Sequence, residues 1–133
     1  MWSIDHHTAD VRVTITADRL SELFADAVRA LTQVLEPEGS ASRRDIVFGV
    51  KLEAADSTAL LVDFLNEALT ASHIHRVAFT DVNYQSFEPT KLAATLIGQK
   101  VRGFGEDVKS VTYHGARVTF GEDGWSVTLV LDI

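Results

Sequence analysis

Residues 18–35 constrain the fold more than any other stretch of the chain. Leu20, Leu23, Phe24, Ala27, Val28, Leu31, Val34 and Leu35 recur at intervals of three and four. On a helix they form one broad apolar stripe, which must be buried against another element. Asp18 stands where an N-cap belongs, and Pro37 and Gly39 end the run. Just before it, Val11, Val13 and Ile15 alternate with Arg12, Thr14 and Thr16. That period of two predicts a half-buried strand whose polar face also carries Asp10.

The rest of the chain supplies partners for that helix. Residues 43–54, "RRDIVFGVKLEA", alternate again and read as a strand. Asp56 or Ser57 can cap a second helix with Leu60, Leu61, Phe64, Leu65, Ala68 and Leu69 on its buried side and Asp63, Asn66, Glu67 and Thr70 outside. From Ile74 to Phe87 the chain is rich in β-branched and aromatic residues, until Glu88–Pro89 interrupts it. "KLAATLIGQKV" (91–101) has the leucines and alanines of a helix, but Thr95, Gly98 and the preceding proline turn favour a strand. "GFGED" (103–107) reads as a loop, and "KSVTYHGARVTF" pairs with "WSVTLVLDI" around Gly121–Gly124, where Asp123-Gly124 is a strong hairpin signal. Strand, helix, strand, helix and then several strands predict an α+β fold, two helices packed on a mainly antiparallel sheet, in one domain spanning residues 1–133.

Composition narrows the function. Hydrophobic residues make up 46% of the chain and the formal net charge is −7. The densest basic spots are Arg43–Arg44 and the Lys100/Arg102 pair, too sparse for the electrostatic footprint of a protein that grips DNA or RNA directly. With no cysteine there is no disulfide, thiolate metal site or cysteine nucleophile. The N-terminal "MWSIDHHTAD" lacks the basic and apolar regions of a secretion signal, and no apolar run nears the ~20 residues of a membrane span. A cytoplasmic protein without membrane association is the expectation.

The chemistry concentrates at two strand ends. Asp10 opens one strand, while Asp132 lies on the polar face of "LVLDI", a residue before Ile133. If those strands are antiparallel neighbours, Asp10, Asp132 and the carboxylate of Ile133 converge. Carboxylates in such proximity repel unless they are protonated or share a cation. A hard divalent ion such as calcium suits an all-oxygen set better than zinc does. The alternative is that Asp10 and Asp132 are unrelated, solvated strand ends. For zinc, His6 and His7 point to opposite faces of a strand, whereas His73 and His75 share one face at i and i+2 but lack a third ligand. His7 reads as a packed, hydrogen-bonded residue orienting the turn before Asp10. In "VKSVTYHG" (108–115), strand parity puts Lys109, Val111 and Tyr113 on one face and Ser110, Thr112 and His114 on the other, which weakens acid–base cooperation between Lys109 and His114. No serine sits in a nucleophile elbow, and "GFGED" is not a phosphate cradle.

Four segments in order, "HTADV", "ADSTALLVDFLNEAL", "VKSVTYHG" and "GWSVTLVLDI", resemble the archease family over nearly the whole chain. Arg12 stands where that family commonly has glycine, His6 where an acid is usual, and Gln99 where glutamate is frequent. The resemblance implies a small strand–helix–strand–strand type sandwich that is not itself an enzyme. It implies an activator of an RtcB-type RNA ligase, promoting guanylylation of the ligase and multiple turnover in tRNA splicing or RNA repair. It also implies a calcium site built from Asp10, Asp132 and Ile133, with Lys109, and beside it His7 and His114, on the partner-activation surface. Two other readings compete: a general chaperone or modulator of enzymes such as RNA methyltransferases, and a metal-dependent hydrolase using Asp10 and Asp132.

Overall fold

A computed structural model describes residues 1–7 and 9–133, with the side chains of residues 40–44 outside the description. The elements run β1 (Trp2–His6), β2 (Asp10–Ala17), α1 (Leu20–Leu35), β3 (Pro37–Glu53), α2 (Ser57–His75), β4 (Val77–Glu88), β5 (Lys91–Phe104), β6 (Ser110–Thr112), β7 (Thr119–Gly121) and β8 (Gly124–Asp132). They form two antiparallel sheets. In one, the order is β1-β2-β8-β6, with β7 also on β8; in the other it is β3-β5-β4.

The α+β class with two helices on antiparallel sheets is as the periodicity predicts, but there are two sheets and the helices lie between them. α1 packs on β1, β2 and β8 from one side and on β4 from the other; α2 packs on β6 and on β3, β4 and β5. The physical reason is the breadth of the apolar surface. Beyond its predicted stripe α1 also buries Ala25, Ala30 and Thr32, and α2 buries Val62, Ala71 and Ser72. A helix with little polar surface needs cover on more than one side. Phe24 sits at the centre, its ring 5.9 Å from Phe64 of α2 and 5.1 Å from Phe87 of β4. Thr32 resolves its burial by donating its hydroxyl to the Phe79 carbonyl at 2.5 Å.

Several boundaries differ from the periodic reading. Arg19, not Asp18, occupies the N-cap of α1, and no side chain caps it. α1 closes on Glu36 in the left-handed conformation (φ 52°), and Pro37 starts β3 at once, well ahead of residue 43. α2 is capped as expected, with the Asp56 carboxylate accepting the Ala59 N–H at 2.8 Å. Residues 91–101 are indeed a strand, the centre of the β3-β5-β4 sheet. There Gly98 is obligatory, because a Cβ would collide with the backbone of Ala78 and Phe79. The long C-terminal hairpin exists but its first strand is broken: β6 and β7 both pair with β8, and residues 113–118 leave the sheet between them. The hairpin forms where Asp123-Gly124 predicts one, but Gly121 pairs with Gly124, so Glu122 and Asp123 make the turn and Gly124 (φ 89°) follows it in the left-handed region instead of sitting inside it.

Candidate functional site

The register of the first sheet assembles the site. β2 and β8 are antiparallel neighbours, and Asp10 pairs directly with Asp132. Alternation does the rest: Val11, Val13 and Ile15 of β2 and Val127, Leu129 and Leu131 of β8 point into the core, so Asp10 and Asp132 share the outer face. Ser110 of β6 pairs with the other flank of Asp132, and the Lys109 N–H donates to the Asp132 carbonyl at 2.7 Å. On the opposite flank the His7 N–H donates to the Asp10 carbonyl at 2.9 Å. One row therefore crosses four segments: His7, Asp10, Asp132, Ser110. Ile133 continues from Asp132 at the same end.

Directly opposed side chains on neighbouring strands have Cβ atoms about 4.5–5.5 Å apart, and like charges there repel. Asp10 is half-buried and its Oδ1 is a buried oxygen with no hydrogen-bond partner among the described residues. An unpaired carboxylate oxygen beside a second carboxylate is the arrangement that a cation relieves. No group of three His, Cys, Asp or Glu side chains converges among the described residues, so a metal here would rest on two carboxylates, main-chain oxygen of Ile133 and water. That donor set fits a hard, oxygen-seeking ion and not zinc.

Other candidates fall out differently. The His7 main chain closes the turn before Asp10, but its ring is exposed, not packed, and lies 3.1 Å from an Asp5 carboxylate oxygen. Lys109 is exposed, and its ammonium forms no ion pair with a described residue. The assignment of Lys109, Val111 and Tyr113 to one strand face does not hold, because β6 is only Ser110–Thr112: Val111 is buried, while Lys109 and Tyr113 lie outside the strand and are exposed. His114 is exposed in the 113–118 loop, past the end of β6 and away from the Asp10–Asp132 row. His73 and His75 belong to the last turn of α2, not to a strand, so i and i+2 put them on different sides. The pair is no ligand set. His73 Nε2 instead meets the Val108 carbonyl at 3.1 Å, and His75 lies beside the Phe48 ring.

One functional feature escapes the periodic reading. Four polar residues of α2 hold the segment that carries Lys109. His73 reaches Val108; Asn66 donates to the Val111 carbonyl and accepts the Val111 N–H, both at 2.9 Å; Tyr113 donates to Asp63; and Thr58 accepts the Val118 N–H at 2.9 Å. Asn66 acts as a substitute strand, satisfying both outward main-chain groups of Val111. The bond to Asp63, aided by slight burial and by its charge, raises the Tyr113 phenol above its ordinary value. Asp63 and Asn66 read as solvent-facing because they sit opposite the leucine stripe. The available signal was that α2 lies in a chain with too many strands to leave a helix face open.

These features define a class: an α+β sandwich with its helices inside and a pair of opposed aspartates at one end of an open sheet face. The comparisons give that class its family. The model of the Archease protein family (MTH1598/TM1083) matches residues 2–133, and the chain belongs to this family. It is 32% identical to the archease of Pyrococcus abyssi over 99% of this chain and 98% of that protein, and 27% identical to that of Methanosarcina acetivorans over 96% and 92%. Two solved structures share the fold. The solution structure of protein 1598 of Methanobacterium thermoautotrophicum has a TM-score of 0.74 at 19% identity, covering 99% of this chain and 98% of that one. A Thermotoga maritima crystal structure, described as an archease and possible chaperone, has a TM-score of 0.67 at 23% identity, covering 100% and 98%. No described helix is long and apolar enough to cross a membrane.

Proposed function

We propose that this protein acts on another protein, as an activator of an RtcB-type RNA ligase that promotes its guanylylation and repeated turnover. Family membership supports a role as modulator, and the description of the Thermotoga relative as a possible chaperone agrees with action on a protein partner. The observation that carries the reading is the direct pairing of Asp10 with Asp132, with an orphaned Asp10 oxygen, beside Lys109 at an open tip. Asp10, Asp132 and Ile133 would hold a divalent cation, most simply calcium, whose charge would offset the two facing carboxylates. Lys109 offers a free ammonium to the partner, and the His7 main chain fixes the turn from which Asp10 projects.

A hydrolase reading finds no support in the cavities of the described residues. Among the described residues the cavities open elsewhere, near Lys51 and Lys91, near Gly49 and Gln85, near Phe48, near Gly39 and Arg102, and near Met1 and Asp26; Asp10 and Asp132 line none of these. The acidic balance of the chain fits a protein that reaches the ligase and not the RNA. Multiple-turnover ligation by the cognate ligase, with and without this protein, tests the proposal. Added protein is expected to convert a stalled reaction into continuous turnover; an unchanged progress curve would refute it.

A further inference from the structure

The two sheets have four edges, and three are short, broken or gripped. The β6 edge is held by Asn66, and Thr58 holds the chain that leads into β7. β4 carries bulges at Phe79/Asp81 and Tyr84/Ser86, and the Arg29 guanidinium takes the Thr80 carbonyl at 2.9 Å. β1 has only five residues. Such devices keep an edge from pairing with another chain. β3 has a register shift between Ser40 and Asp45, but from Asp45 to Glu53 it pairs with β5 without a break from Gln99 to Lys91 and contains no proline. Its outward main-chain groups meet no other backbone segment among the described residues.

Side chains at this edge are also incompletely covered. Ile46, Phe48 and Leu52 face the helices yet stay half-buried, and Val47 on the other face is 64% exposed. A cavity of about 300 Å³ opens under the edge, lined by Ile46, Val47, Phe48, His75, Val77, Phe79 and Lys100. We infer that this edge pairs with the same edge of a second copy of the chain, antiparallel about a two-fold axis through Phe48. That register sets Asp45 against Lys51 of the second copy, and Lys51 against its Asp45, giving two ion pairs. It also sets Ile46 against Val50, Val47 against Gly49, and Phe48 against Phe48 of the second copy. Gly49 has nothing within 4 Å of where a Cβ would lie, so it can accommodate the opposing valine. Moving the axis to Gly49 would oppose Asp45 to Glu53, two acids, so charge selects the first register. The result is one six-stranded sheet with all four helices on the same face. It leaves the Asp10–Asp132 row open and does not rest on the proposed ligase role.

Sedimentation velocity on the full chain, from micromolar to near-millimolar concentration, tests this. The unmodified chain is expected to dimerise with rising concentration. Lys51→Asp and Asp45→Lys each create two like-charge pairs and are expected to weaken dimerisation by about tenfold or more. Mixing the two variants restores both ion pairs, so the mixture is expected to dimerise where neither variant does. Val47→Asp, an exposed position on the same edge, is expected to be monomeric with an unchanged unfolding midpoint. An unmodified chain that stays monomeric throughout, single variants that dimerise normally, or a mixture that fails to recover would each overturn the proposal.

Discussion

At the scale of single residues, two opposed carboxylates have consequences without any partner. Asp10 and Asp132 repel, and the buried Asp10 oxygen lacks a donor, so the cation-free chain stores an avoidable cost. Asp10→Asn is therefore expected to stabilise the cation-free protein by about 1 kcal/mol, roughly 3–5 °C for a chain of this size. Saturating calcium is expected to raise the midpoint of the unmodified chain and leave the variant unmoved. Thermal unfolding with and without calcium reads both effects. Tyr84 makes a second prediction. Burial pushes its phenol well above the ordinary value, only partly offset by Arg29, while its hydroxyl donates to the Ser21 carbonyl at 2.7 Å. A folded-state pKa above the unfolded one means stability is fully present below the unfolded value, near pH 10, and falls as pH rises beyond it. Urea unfolding at stepped alkaline pH is expected to show this decline, and Tyr84→Phe to reduce its slope. Strand parity and strand ends name Asp10 and Asp132 as outward-facing end positions, but the sequence leaves open whether they converge or are unrelated strand ends; the β2–β8 register decides that they meet. The roles of His73, His75 and His114 were not legible in the sequence, because each depends on where an element stops, and β-branched residues blur the end of a helix.

At the scale of elements, the α2 grip on residues 108–118 explains why a strand broken in the middle still lies flat against the sheet. Asn66→Ala leaves the Val111 N–H and carbonyl without partners, expected to cost about 1–3 kcal/mol. Amide exchange is expected to accelerate at Val111 and Val118 while the β2–β8 ladder stays protected; uniform acceleration would mean that the grip is not local. The break itself is invisible to periodicity, since alternation resumes at Val118 and only the positive φ of Gly115 (69°) marks the departure. The helices, by contrast, were legible from spacing alone. What spacing hides is their second buried side, because small residues such as Ala25, Ala30 and Ala71 carry little weight in an apolar stripe yet permit close packing. Phe24 tests that middle layer: Phe24→Ala is expected to cost about 3–5 kcal/mol in urea unfolding, since its ring touches both Phe64 and Phe87.

For the whole molecule, a helical layer between two sheets gives the site a rigid base and an open approach. The five-stranded sheet buries one face on the helices and leaves the other free, so a row of polar residues at its end can meet a partner without rearranging the core. The division into two sheets could not be read from the sequence, because alternation reports which face of a strand is buried and not which strands are neighbours. The central claim is that this row, and not the fold alone, carries the activity. The rate of guanylylation of the cognate ligase by GTP, with the unmodified protein or with the double variant Asp10→Ala, Asp132→Ala, tests it most directly. Loss of stimulation by a double variant that keeps its secondary structure and unfolds no earlier than the cation-free unmodified chain is the predicted result; full stimulation by that variant would contradict the account.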